Sequence, residues 1–144
     1  MKIYFAGSIR GGREDRDLYA ALIRALEEHG EILTEHVGAE SLSAYGEEGM
    51  SDREIFDRDM SWLREADLLV AEVTTPSLGV GYEIACAEKS GKPVLCLYRE
   101  RPGKRLSAML AGNRSLTIGA YKNLDEARAH LSAFLASHGP GGDS

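Results

Sequence analysis

Short apolar runs alternate along this chain with longer stretches whose apolar residues recur at helical spacing. Lys2-Ile3-Tyr4-Phe5-Ala6-Gly7 reads as a buried strand. From Glu14 to His29 the pattern turns helical, with Leu18, Leu22, Ala25 and Leu26 on one face and Gly30 placed as a C-cap. Glu31 to Thr34 predicts a second strand. Gly38 to Met50 is polar and glycine-bearing, the composition of a mobile loop. Ser51 with Glu54 three residues on has the spacing of a capping box, opening a helix that runs to about Ala66. Asp67 to Thr74 reads as a third strand, Tyr82 to Ser90 as a helix ended by Gly91, and Lys92 to Tyr98 as a fourth strand. A short helix over Leu106 to Leu110, a last strand over Leu116 to Tyr121 and a final helix over Leu124 to Leu135 complete the pattern.

Strands alternating with helices predict an α/β fold: one doubly wound, Rossmann- or flavodoxin-like parallel sheet of about five strands with helices on both faces. Residues 1–138 then form a single domain, and 139–144 a disordered tail. Right-handed crossovers bring the loops after each strand to one edge of the sheet. Tyr4, Gly7 to Arg13, Glu35-His36 and Thr74 to Glu83 should converge there.

Composition narrows the function. With 23 acids against 17 bases, the net charge of -6 argues against a general nucleic-acid surface. It leaves room for a small anionic ligand, because backbone N–H groups and local arginines can reverse the field in one cleft. Cys86 and Cys96 make no disulfide framework or zinc pattern, and the four histidines are scattered. No metal or cofactor is expected. The sequence shows no membrane-spanning stretch and no signal-peptide pattern, so a cytoplasmic or nuclear home is expected.

Two acids break the apolar pattern. On a wheel of the helix after Ser51, Ile55, Phe56, Met60, Trp62 and Leu63 define one arc, and Asp59 falls inside it. Glu54, Asp57, Arg58, Ser61 and Glu65 take the opposite face. A carboxylate on a core face costs roughly several kcal/mol unless paired or protonated. The plain alternative is a buried Asp capping a loop or pairing with an arginine. Glu83 lies beside the stripe Val80, Ile84 and Ala87. The expected helix would hold it in its first turn, where the helix dipole favours the charged form; its plain alternative is a helix-start acid that only interacts with the dipole. Together, two inward carboxylates in different environments are the apparatus of glycosidic bond cleavage.

Gly7-Ser8-Ile9-Arg10-Gly11-Gly12-Arg13 is neither a dinucleotide fingerprint nor a Walker A motif. It still places glycines, a hydroxyl and two guanidinium groups at a strand-to-helix turn, where one phosphate could be held. A simple tight turn with solvated arginines fits the spacing equally well. Tyr4 is either core packing or a hydroxyl near the strand's C-terminal end, reaching the cleft. Glu72 reads as a structural hydrogen-bond acceptor, and His36 as a candidate lining of a base pocket.

At these residues the chain resembles the 2′-deoxynucleoside 5′-monophosphate N-hydrolases, relatives of the nucleoside 2-deoxyribosyltransferases. The resemblance runs from Tyr4-Phe5-Ala6-Gly7-Ser8-Ile9-Arg10-Gly11-Gly12-Arg13-Glu14-Asp15 through Leu33-Thr34-Glu35-His36-Val37 and Pro76-Ser77-Leu78-Gly79-Val80-Gly81-Tyr82-Glu83 to Leu106-Ser107-Ala108-Met109. It implies Glu83 as nucleophile on C1′ of the deoxyribose, Asp59 as the acid assisting the base, and Tyr4 as the group that helps orient the nucleophile and the sugar. It implies that Ser77 and Gly79, with the Gly7 to Arg13 loop, bind the 5′-phosphate. Ser107, with Ala108 and Met109, would reach the phosphate site of a neighbouring subunit, making a homodimer the working unit. After Glu83 this chain reads Ile84-Ala85-Cys86, where many relatives have an aliphatic residue followed by Gly-Arg.

The resemblance has a second branch. Transferases usually carry Asp where Ser77 stands and Asn where Ser107 stands. An Asp would accept from a free 5′-hydroxyl but repel a phosphate dianion, whereas serine donates without adding charge. The serines therefore favour hydrolysis of a deoxynucleoside monophosphate to free base and 2-deoxyribose 5-phosphate. A deoxyribosyl transferase and a non-catalytic nucleotide-binding module are the competing readings.

Overall fold

Ile3, Tyr4, Phe5 and Ala6 leave almost no surface to solvent, as expected of a central strand covered on both faces. They belong to β1 (Lys2–Gly7) of a computed structural model that describes residues 1–9, 12–36 and 49–138, Arg13 by its backbone alone. The chain continues through α1 (Gly12–Glu27), β2 (Glu31–Leu33), α2 (Asp52–Glu65), β3 (Leu68–Glu72), α3 (Leu78–Lys89), β4 (Val94–Arg99), α4 (Ala108–Ala111), β5 (Thr117–Tyr121) and α5 (Leu124–His138). All four strand pairings are parallel, and the sheet order is β2-β1-β3-β4-β5. That is the flavodoxin-like winding, with its switch point between β1 and β3. The expected α/β sheet of five strands is what the chain forms.

Alternation along the strands divides the core into two layers. Ile3, Phe5, Leu68, Val70, Leu95 and Leu97 pack against α1 and α5 on one face. Tyr4, Ala6, Leu69, Ala71 and Cys96 face α2 and α3 on the other.

Several boundaries differ from the sequence expectation, each for a local reason. Helix α1 begins at Gly12, whose φ of 85° suits a residue without a Cβ. Gly30 is not a left-handed cap. A Cβ there would come within 2.3 Å of the Met1 carbonyl oxygen, so it is close approach that needs a glycine. Helix α3 starts four residues earlier than expected, because Ser77 accepts a hydrogen bond from Val80 N at 3.2 Å and caps it. Glu83 therefore stands in the second turn, not the first. Of the expected Gly38–Met50 loop, only Gly49 and Met50 are among the described residues, and the expected tail 139–144 lies outside them. No helix of the described residues is long and apolar enough to cross a membrane.

Candidate active site

Residues that follow β1 and β2, with the N-terminal turns of α2 and α3, surround a cleft of about 710 Å³. Glu83 and Asp59 both line it, beside the apolar Ile9, Phe56, Met60 and Tyr82. The apolar arc of α2 is thus only partly a core face. Leu63 is buried, while Phe56 is half exposed and tilted against Tyr82 at 6.3 Å between ring centroids. Asp59 interrupts the arc because that part of the helix looks into the cleft.

Glu83 is 8% exposed. The Tyr4 hydroxyl donates to its Oε2. Tyr4 is the third residue of β1, mid-strand rather than at its end; the length of the phenol carries the hydroxyl up to the cleft floor. Burial is the main influence on Glu83 and pushes its carboxyl up to about 7. The Tyr4 hydrogen bond and the Arg58 charge act the other way, and the Asp59 charge adds to the rise. The helix dipole expected to hold Glu83 ionised is outweighed by desolvation. Burial, then the nearby Glu83 charge, drive the Tyr4 phenol far above the ordinary phenol range. Tyr4 therefore keeps its proton and remains a donor.

Asp59 accepts from Arg58 Nε at 3.0 Å. The same guanidinium donates through Nη2 to Glu35 Oε2 at 3.2 Å. Its carbon lies 4.8 Å from the centroid of the Trp62 ring. The pairing considered for Asp59 thus exists, but inside the cleft wall and with the preceding residue.

The expected phosphate-binding residues divide between two hollows. Ile9 and Gly79 line the acid-bearing cleft. Ser77, Ser107 and Met109 line a neighbouring groove of about 540 Å³, on the other side of the first turn of α3. Ser77 spends a lone pair on its cap, which leaves the donor role to its O–H. Ser107 likewise caps α4, accepting from Met109 N at 3.3 Å. Ala108 is exposed at the start of α4. Gly7 and Ser8 sit at the top of β1, and Gly12 opens α1. A Cβ on Gly7 would lie 2.9 Å from the Tyr19 ring, so the strand must end on glycine to let α1 pack. Arg10 and Gly11 lie outside the described residues, as does the Arg13 side chain.

His36 is not among the residues that line the acid-bearing cleft. It is buried, its Nε2 donates to the Gly7 carbonyl at 2.7 Å, and its ring meets Tyr19 edge-on. It braces the glycine-rich turn from below. Glu72 has the structural role expected of it. It accepts from Thr74 N, Thr74 Oγ1 and the Tyr121 hydroxyl, which tie β3 to β5 across the end of β4. Asp15 has a role that the sequence pattern does not announce. From the first turn of α1 it accepts from Thr75 Oγ1 at 2.6 Å and faces Arg99 at 3.7 Å. It fixes the loop that leads to Ser77. An acid followed sixty residues later by a hydroxyl carries no local signal of that contact.

A family model described as nucleoside 2-deoxyribosyltransferase matches residues 3–114. A Mus musculus protein named 5-hydroxymethyl-dUMP N-hydrolase is 54% identical over 111 residues, 76% of this chain and 64% of that protein. The chain thus spans less than two thirds of that relative's length. A Danio rerio protein of the same name is 53% identical over 112 residues, 78% of each chain. Among solved structures, a Clostridium botulinum CMP N-glycosidase superposes with a TM-score of 0.67 at 20% identity, covering 92% of this chain and 99% of that one. At that identity the likeness speaks for the fold.

Proposed function

We propose a reaction for this chain, which belongs to the nucleoside 2-deoxyribosyltransferase family: hydrolysis of the N-glycosidic bond of 2′-deoxynucleoside 5′-monophosphates. The observation that carries it is the Tyr4–Glu83 hydrogen bond on the floor of a cleft whose wall holds Asp59. The 5-hydroxymethyl-dUMP N-hydrolase name of relatives above half identity supports the same chemistry.

Ionised Glu83 attacks C1′ while the base departs. Tyr4, a permanent donor, holds the attacking carboxylate by one oxygen and leaves the other for the sugar. Asp59 assists the departing base by proton donation. Water then cleaves the glycosyl ester, giving base and 2-deoxyribose 5-phosphate. The base lies against the half-exposed ring of Phe56 and beside Ile9, where stacking and apolar burial hold it. The phosphate points toward the first turn of α3 and the glycine-rich turn. In this reading Ser77 donates to it, and Ser107 from a second copy of the chain completes the site.

Glu83→Gln tests the reading. It keeps the acceptor for Tyr4 but removes the nucleophile. Base release from a panel of monophosphates that includes 5-hydroxymethyl-dUMP should fall by about three powers of ten or more, with nucleotide binding retained. Activity within a few-fold of the parent would overturn it. Supplying a free base with a deoxynucleoside and finding no exchanged nucleoside separates hydrolysis from transfer.

A further inference from the structure

The cleft gathers acids from three parts of the fold. Glu35 follows β2, Asp52 and Asp59 stand on α2, and Glu83 stands on α3. Tyr4 approaches from β1, its phenol protonated. The proposed substrate adds a phosphate. Carboxylates placed this close repel one another and an anionic ligand alike. Among the described residues around the cleft, Arg58 is the answering charge. Its guanidinium spans Asp59 at 3.0 Å and Glu35 at 3.2 Å. Its Nη1 meets Met50 Sδ at 3.2 Å, and its carbon lies over the Trp62 ring. Contacts on several sides hold the side chain in one place, although a helical wheel assigns it to the solvated face. It is 22% exposed, and the two carboxylates that it joins are less exposed still, at 13% and 14%.

We infer that Arg58 is a positioning residue of the site: it clamps Glu35 and Asp59 in one arrangement and supplies the positive charge that lets the acids surround an anionic deoxynucleotide. The inference rests on the hydrolase reading for its substrate, but not for its geometry. Because α2 carries both Arg58 and Asp59, the clamp fixes the angle at which Asp59 faces Glu83. Its charge also opposes the burial that makes Glu83 hold a proton. Removing that charge should move the acidic limb of the rate profile to higher pH, because each remaining carboxyl then binds its proton more tightly.

The test uses Arg58→Met, which keeps the aliphatic stem against Trp62, and Arg58→Lys, which keeps the charge. Base release is followed from pH 5 to 9, and Glu83 is titrated directly by carboxyl NMR in the absence of substrate. With Arg58→Met, both the acidic limb and the Glu83 titration should move up by roughly one pH unit, and kcat should fall about tenfold at pH 6.5. Arg58→Lys should restore the pH profile and leave part of the kcat loss, since lysine cannot span two carboxylates as a fork does. If Arg58→Met does not fold, Arg58→Gln, neutral and still able to donate to Glu35, carries the same comparison. A profile and a Glu83 titration that both superimpose on the parent would overturn the inference. If the parent itself releases no base, it is the hydrolase reading that fails, and the NMR titration still decides what Arg58 does.

Discussion

Glu83 is buried where its own charge is disfavoured, and that makes it a pH-dependent element of stability. Its carboxyl titrates near 4.5 in a solvated chain and at about 7 in the folded one. The native state therefore holds the proton more tightly than the unfolded state. The stabilising contribution is fully present below about pH 4.5 and is lost as pH rises toward 7. Above that, the buried carboxylate costs the fold up to about 3 kcal/mol. Glu83→Gln removes the titration while keeping an oxygen for Tyr4. Its melting temperature should change less than the parent's between pH 5 and pH 8, and at pH 8 it should be the more stable protein. Thermal denaturation at the two pH values reads this out; identical pH dependence in both proteins would show that Glu83 carries no such strain. A variant that is inactive yet more stable is what the proposed buried nucleophile predicts, since a site built for a reaction is not built for the resting fold.

Helix α2 carries Arg58 and Asp59 in its second turn, so its N-terminus bears on the site. Ser51 Oγ accepts from Glu54 N, and Glu54 Oε1 accepts from Ser51 N, both at 3.1 Å. Ser51→Ala should cost about 1 kcal/mol. A lowered urea midpoint with unchanged slope would show it, and Ser51→Thr should keep most of the stability; an unshifted midpoint for Ser51→Ala would mean that the box contributes nothing. This helix start was legible because a capping box is local, with donor and acceptor three residues apart. The start of α3 was not. Gly79 and Gly81 are poor helix formers, and only the Ser77 cap and the packing of Val80 and Ile84 reveal that the helix already includes them. Asp59 and Glu83 were legible as breaks in a period. Arg58 was hidden, because a wheel follows the Cβ direction and a long side chain can turn back from the solvated face to a neighbour. His36 was misplaced for a related reason: a loop residue after a strand has no period to say whether it faces the cleft or the turn beneath it.

On the scale of the whole molecule, the β1/β3 switch point sets the acid-bearing cleft, and the first turn of α3 divides it from the groove that holds Ser77 and Ser107. The rim of that division is apolar and bare. Leu78 is 96% exposed and Met109 81%, with Tyr82 at 55% close by on α3. Single exposed apolar residues are ordinary, but these flank the two hollows of the proposed site. A second copy docked here would cover them and bring its own Ser107 toward the phosphate, the arrangement proposed for the working dimer. Stable interfaces bury about 800 Å² on each partner, so one charge at the rim should be decisive. Leu78→Asp alters no residue assigned to catalysis or to the phosphate. It should convert a dimer to a monomer in sedimentation velocity and raise KM for a deoxynucleoside monophosphate at least tenfold, while Leu78→Met leaves both unchanged. The affinity loss should be larger for the monophosphate than for the corresponding nucleoside, because the missing Ser107 serves the phosphate alone. A parent protein that sediments as a monomer at the concentration where it turns over at full rate would remove the second copy from the mechanism and leave Ser77 and the glycine-rich turn to hold the phosphate within one chain.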